Sequence, residues 1–263
     1  MAPWHQTRYV SAPGSVAAQK PATTIMNKTT APLIIEHPLL RHYLTLMRAK
    51  DCPRGQYQQA LYQAYLFLTY EALSLPEMKG ATQRFRVQTM QTAAKKAPDY
   101  DQGLLFVTAE IAIIAILRAG EVPASAARSL LPGAKFGHIG LLREDKKVSK
   151  IKRYFQSLPE RLGEHTALVF DPVIGTGLTA LHALRLMADA SGGTLGPTAF
   201  VSLVCARQGV AAIKAEFPNV PILTASIDCE QPDELGYVYP GLGDVGERVS
   251  GSTAIIPRED GNE

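Results

Sequence analysis

Ala167-Leu-Val-Phe-Asp-Pro-Val-Ile-Gly-Thr-Gly-Leu-Thr179 is the stretch from which the fold is read. Leu168, Val169 and Phe170 form a short apolar run of the kind that makes a fully buried strand, and Asp171 stands at its carboxyl end. Gly175 and Gly177 then allow a tight turn and a close backbone approach, and Leu178 to Ala190 carries a helical pattern. The first N–H groups of such a helix have no intrahelical partner and point back into the loop, where they suit an anion. Thr176 and Thr179 add hydroxyl donors, and Asp171 can accept hydrogen bonds from the hydroxyls of a sugar attached to that anion. The loop is neither a Gly-x-x-x-x-Gly-Lys-Ser/Thr phosphate loop nor a Gly-x-Gly-x-x-Gly dinucleotide turn, so it belongs to another class of phosphate site.

Outward from this unit the same alternation repeats. Strands are expected at Ile111–Leu117, Gly137–Leu142, Ala167–Phe170, Phe200–Cys205 and Ile222–Ile227. Helices are expected at Val122–Leu131, Leu178–Ala190 and Val210–Phe217. Two N-terminal helices precede them, one over His37–Arg48 with Pro38 in its first turn and one over Gln56–Leu73. The stripe Tyr62, Tyr65, Leu66 and Tyr70 on the second reads as core or a subunit contact. Strand-helix alternation of this kind predicts an α/β fold with a doubly wound, mainly parallel sheet, and ligands in such sheets sit beyond the carboxyl ends of the strands.

Composition sets the outer bounds. A chain of 263 residues, 46% of them hydrophobic, can build one generous domain or two small ones, and no apolar run approaches the ~20 residues of a membrane span. A net charge of +3 is too small to argue for a nucleic-acid partner. Cys52, Cys205 and Cys229 are widely spaced and form neither a disulfide framework nor a zinc pattern, as expected of a cytoplasmic protein. Met1 to Leu33 contains no Asp or Glu and is rich in Ala, Thr, Pro and Ser, so residues 1–32 are expected to be a disordered extension ahead of a single domain over 33–263.

The strand ends carry the chemistry. Ile111–Leu117 runs into Arg118-Ala-Gly120, where a guanidinium and a small-residue backbone can both face a phosphate. Gly137–Leu142 runs into Arg143 and then Glu144-Asp-Lys-Lys-Val-Ser-Lys-Ile-Lys-Arg153, which reads either as a solvated loop or as a basic lid that closes on a polyanion. Ile222–Ile227 runs into Asp228, and beyond it Gly236-Tyr-Val-Tyr-Pro-Gly-Leu-Gly-Asp-Val-Gly246 can offer backbone N–H and C=O groups to a small planar ligand, with Asp244 projecting nearby. Together these ends equip one edge for a phosphorylated sugar carrying pyrophosphate, with Mg²⁺ bridging its oxygens.

On these residues the chain from His37 to Ser252 resembles the uracil phosphoribosyltransferases, a type I phosphoribosyltransferase family. The matching blocks are His37-Pro-Leu39, Leu44-Thr-Leu-Met-Arg48, Tyr70-Glu-Ala72, Ile116-Leu-Arg-Ala-Gly120, Gly137-His-Ile-Gly-Leu-Leu-Arg143, Asp171-Pro-Val-Ile-Gly-Thr-Gly177 and Gly236–Arg248. The last distinguishes uracil enzymes from purine and orotate relatives. The resemblance implies N-terminal helices, a flexible active-site loop and transfer of phosphoribosyl from 5-phosphoribosyl 1-pyrophosphate to uracil N1, giving UMP and pyrophosphate. It implies that Asp171, Pro172, Val173, Ile174, Gly175, Thr176, Gly177, Leu178 and Thr179 hold the 5′-phosphate and ribose. Arg118 and Arg143 would bind pyrophosphate with its Mg²⁺. Val238, Gly243, Asp244 and Val245 would read uracil, and Arg118, Arg143, Asp171 and Asp244 form the catalytic set. A homo-oligomer (dimer or tetramer) and GTP as a candidate effector also follow from the resemblance.

Four departures from the family pattern stand out. Glu121 follows Arg118-Ala-Gly120 where an apolar residue is usual, Leu178 replaces a glycine, Cys229-Glu-Gln-Pro-Asp-Glu234 is more acidic than the family stretch, and Ser250 stands where Phe is usual. A carboxylate beside a pyrophosphate pocket repels the substrate unless it points away or helps hold the metal. Glu121 and the acidic stretch therefore motivate an alternative, a catalytically weakened homologue that senses nucleotides or regulates a partner. The basic run Lys146–Arg153 is the sole support for a further alternative, RNA binding.

Overall fold

The computed structural model describes residues 31–87, 100–106, 110–143 and 151–252, with side chains left aside at 83–87, 100–106 and 143. The disordered extension expected over 1–32 lies outside the described residues apart from Ala31 and Pro32, and residues 144–150 of the expected lid lie outside them as well.

The centre of the molecule is a seven-stranded sheet. Its strands are β1 (Leu33–Ile34), β4 (Ile111–Leu117), β5 (Lys135–Arg143), β6 (Ile151–Ser157), β7 (Thr166–Phe170), β9 (Thr198–Val201) and β11 (Ile222–Thr224), in the order β1-β11-β9-β7-β4-β5-β6. All neighbours are parallel except β5 and β6. An antiparallel pair, β2 (Thr82–Val87) and β3 (Tyr100–Phe106), stands apart from this sheet.

The continuous apolar runs of the central strands are explained by burial on both faces. Along β4, Ile111, Ile113 and Ala115 enter one core, while Ala112, Ile114 and Ile116 enter the other. The first core lies under α1 (Pro38–Arg48), α2 (Arg54–Leu73) and α3 (Glu121–Leu130); the second lies under α4 (Leu178–Ala190) and α5 (Arg207–Glu216). In α2 the buried residues Tyr57, Ala60, Leu61, Ala64, Tyr65 and Leu68 recur at three- and four-residue steps, which is the period that aims one helical stripe at a sheet. Of the tyrosine stripe read from the sequence, Tyr65 is core, Tyr62 and Leu66 are partly buried against it, and Tyr70 is exposed.

Two of the expected strands are interrupted. Phe200–Cys205 divides into β9 and β10 (Val204–Ala206), and Ile222–Ile227 divides into β11 and β12 (Ser226–Cys229). After β7 a matching piece, β8 (Val173–Ile174), resumes beyond Asp171-Pro172, and the three continuations form a small parallel sheet in the order β12-β10-β8. The backbone groups at the breaks are satisfied locally: Pro172 C=O accepts from Leu203 and Val204 N–H at 3.0 and 3.1 Å, and Thr224 Oγ1 donates to Leu203 O at 3.1 Å. Buried polar groups that bend a chain must be paired in this way, and periodicity alone does not reveal the bend.

The topology locates the functional edge. From β4 the chain goes out through α3 to β5, and from β7 it goes to the opposite side through α4 to β9. The order therefore reverses between β4 and β7, and a crevice opens beyond their carboxyl ends, where Arg118 and Asp171 stand.

Candidate active site

Three loops meet at this crevice. The first, Arg118-Ala-Gly120, leaves β4 through a cis Leu117–Arg118 peptide and enters α3. Gly120 lies so close to the end of β7 that a Cβ there would fall 2.3 Å from Phe170 O and 2.7 Å from Ile116 O. Only glycine permits that approach, and it brings the arginine loop and the aspartate loop together. Arg118 Nη1 donates to Ser250 Oγ at 3.2 Å, Ser252 O at 3.1 Å and Ser252 Oγ at 2.9 Å. Ser250, one of the departures from the family pattern, is thus a partner of Arg118. Tyr154 on β6 also feels the arginine: burial raises its hydroxyl pKa and the Arg118 charge opposes the shift.

The second loop is the cradle. Asp171 directly follows β7 and is 9% exposed, with its charge acting on the buried Tyr65 hydroxyl and Cys205 thiol. The Tyr65 ring meets Phe170 edge-on at 5.9 Å behind it. Pro172, Val173 and Ile174 engage β10 through their backbone, which leaves Gly175 to Thr179 as the open turn. Gly177 has φ +84° and is the N-cap of α4, with no side chain capping that end; Leu178 N–H has only a long 3.5 Å contact to Thr176 Oγ1. A Cβ on Gly177 would lie 2.7 Å from Gly209 O, and one on Gly209 would lie 2.2 Å from Gly175 O, so the turn rests directly on the backbone of α5. Thr176, Leu178 and Thr179 line it half-buried.

The third loop runs from β12 to α6 (Val245–Ser250). It touches the cradle at Gly175, where a Cβ would lie 2.7 Å from Gly236 O, and it touches the arginine loop at Gly246, where a Cβ would lie 3.8 Å from Arg118 Nε. Val238 and Val245 are buried, whereas Gly243 and Asp244 are exposed. Asp244 Oδ1 accepts Glu247 N–H at 2.9 Å as the N-cap of α6, which commits one of its oxygens.

The residues that shape this loop were not among the sequence-derived site residues. Asp233 Oδ1 accepts Leu235 N–H at 3.0 Å and Tyr237 N–H at 2.7 Å, and Oδ2 accepts the Tyr239 hydroxyl at 3.3 Å. Arg248 donates to Leu242 O and Ala49 O, each at 2.9 Å, and to Met47 O, and lies 4.1 Å over the Tyr57 ring. An Asp whose side chain caps the N–H two residues on, as Asp233 does for Leu235, is an Asx-type turn signal that the sequence does carry. The bonds of Arg248 to Met47 and Ala49 carry none, because those partners lie some 200 positions away.

Other expectations are corrected. Asp228, read as one of the carboxylates gathered at the edge, has a side chain only 1% exposed and is bound to Arg48, Ser226 and Gly241. The basic segment beyond β5 includes Ile151, Lys152 and Arg153, which are strand β6 paired antiparallel with β5. These three residues are therefore an edge strand of the sheet and not the irregular loop read from their charge. Arg143 is the last residue of β5 and pairs with Ile151. Glu121 opens α3, and its Oε2 lies 3.3 Å from His138 Nε2, so its carboxylate leans over β5. An acid in a first helical turn also complements the helix dipole. The three cysteines are unpaired, and burial pushes the Cys205 thiol up to about 12, which makes it a small apolar residue and not a nucleophile.

A sheet wound on both faces, with an arginine loop and an anion cradle meeting at its topological switch, defines a type I phosphoribosyltransferase. Known proteins agree. The family model described as uracil phosphoribosyltransferase matches residues 34–252. A uracil phosphoribosyltransferase of Rhodococcus jostii is 34% identical over 222 residues, covering 83% of this chain and 97% of that one. One from Legionella pneumophila is 33% identical over 219 residues, covering 83% and 95%. Among solved structures, the AQ2163 protein of Aquifex aeolicus superposes with a TM-score of 0.73 at 26% identity, covering 86% of this chain and all of that one. The chain belongs to the uracil phosphoribosyltransferase family.

Proposed function

We propose that the protein transfers the phosphoribosyl group of 5-phosphoribosyl 1-pyrophosphate to N1 of uracil, releasing pyrophosphate. The observation that supports this most is the contact of all three loops at one crevice: Gly120 on Phe170, Gly175 on Gly236, and Arg118 on Gly246. In this reading the open turn from Gly175 to Thr179 receives the 5′-phosphate on N–H groups at the start of α4, and Asp171 faces the ribose hydroxyls. The C1–O bond to pyrophosphate breaks, the N1–C1 bond forms, and the N1 proton leaves to solvent. Positive charge grows at C1 and negative charge on the departing pyrophosphate, so a preorganised guanidinium at the leaving group lowers the barrier. Arg118, which Ser250 and Ser252 hold, is assigned to that role, and so is Arg143 from its position at the end of β5.

Uracil is taken to lie against the Val238–Val245 backbone, which can match its alternating acceptors and donor as a paired base would. Mg²⁺ is assigned to the substrate oxygens: among the described residues no group of three or more His, Cys, Asp or Glu is arranged to hold an ion. When bound, the ion neutralises pyrophosphate charge. The exposed Tyr70 and Leu39 on α2 and α1 support a homo-oligomer, and unpaired cysteines accord with a cytoplasmic site. Among the described residues no helix is long and apolar enough to cross a membrane. The test is UMP formation from uracil and 5-phosphoribosyl 1-pyrophosphate with Mg²⁺. Turnover at ordinary enzyme rates is expected, and folded protein that forms no UMP would sink the proposal.

A further inference from the structure

The loop that is to read the base contains no helix or strand between Cys229 and Val245. Its shape therefore depends on side chains that bond its backbone. Asp228 is the most deeply buried of these, and removing a carboxylate from water is costly unless donors ring it. Here the ring is complete: Arg48 Nη2 donates to Oδ1 at 2.6 Å, Ser226 Oγ donates to Oδ1 at 2.5 Å, and Gly241 N–H donates to Oδ2 at 2.9 Å. Two oxygens thereby connect the end of α1 to the Val238–Leu242 turn. Arg248 makes a second link between the same two places, from Leu242 O to Ala49 O.

We infer that the Asp228–Arg48 pair is a positioning device for the base-reading loop, resting on the function proposed above. It fixes the turn that carries Val238 and so the direction in which the loop's N–H and C=O groups meet a pyrimidine. The cradle touches this loop at Gly236 but has a support of its own, the packing of Gly175 and Gly177 on Gly209. Loss of the pair is therefore felt by uracil and not by the sugar phosphate. A side chain that only held the protein together would change the amount of active enzyme and leave both affinities alike.

The experiment compares the wild type with Asp228→Asn, Arg48→Met and Arg48→Lys in steady-state UMP synthesis, varying each substrate against saturation by the other. Losing a charge-assisted hydrogen bond predicts a rise of roughly tenfold in KM for uracil in Asp228→Asn and Arg48→Met. KM for 5-phosphoribosyl 1-pyrophosphate should stay within about twofold, and Arg48→Lys should recover most of the loss. If Asp228→Asn does not fold, the Arg48 pair of variants carries the test at a side chain that is 29% exposed. Both KM values rising together, or neither changing, overturns the inference while the wild-type activity stands. A wild type that makes no UMP overturns the proposed function, and this inference with it.

Discussion

The cradle and the base loop lie in contact, yet they are built in opposite ways. The cradle from Asp171 to Thr179 is made of its own backbone, set by the end of β7, a left-handed Gly177 and the start of α4. The loop from Gly236 to Gly246 is held by side chains from elsewhere: Asp228, Asp233 and Arg248, with Arg48 and the carbonyls at the end of α1 behind them. A phosphate needs a fixed nest of N–H groups, which a short glycine turn packed on a helix backbone can supply without side chains. A planar base needs donors and acceptors at fixed directions, and an irregular loop can provide these only when it is braced.

Arg118 lies where the two regions join, and its removal should cost most. Arg118→Ala is expected to lower kcat by about 100- to 1000-fold, the usual loss when a donor to a developing anion is deleted. Single-turnover UMP synthesis would check it, and a near-normal rate would place the pyrophosphate elsewhere. Next comes the cradle's support. Gly209→Ala places a methyl 2.2 Å from Gly175 O. A shift of about 1 Å in the cradle should reduce kcat/KM for the sugar substrate about 100-fold. If affinity for the phosphorylated sugar were unaffected, the cradle would not hold its phosphate.

The base loop should respond more selectively. Asp233→Ala removes the acceptor of two backbone N–H groups and one hydroxyl, so KM for uracil should rise roughly five- to tenfold with little change for the sugar substrate. Equal changes in both would show that the two regions are not independently supported. The smallest effect is expected from Glu121→Gln. The carboxylate leans to His138 and its side chain is 53% exposed, and an exposed pair of this kind is worth at most about 1 kcal/mol. Activity should stay within about twofold by the same reasoning, and a tenfold gain would mean that its charge reaches the pyrophosphate.

The same contrast explains what was legible in the chain. The strands β4 and β7, the helix α4 and the turn between them follow from apolar runs and glycines within about a dozen residues, and periodicity finds such units. Strand β6 hides in a basic run because its residues are mostly exposed and it has an antiparallel partner on one side only. The break at Ser202 hides because both halves of that strand stay apolar, and the one at Ala225 because Ile222, Leu223 and Ile227 keep apolar residues on either side of it. Glu121 looked like a threat to substrate binding because sequence gives proximity along the chain and not the direction of a side chain.

The sequence by itself determined the central strands, their winding, the glycine turn after β7 and the arginine that follows β4, because each is encoded by neighbours in the chain. The tertiary structure alone decided that Asp228 is buried support and not a ligand group, that Glu121 faces His138, and that Ser250 holds Arg118. Those outcomes depend on which distant residues fold next to one another, with Arg48 and Asp228 separated by 180 positions. A carboxylate's role is set by the donors around it, and those donors are assembled only when the chain is folded.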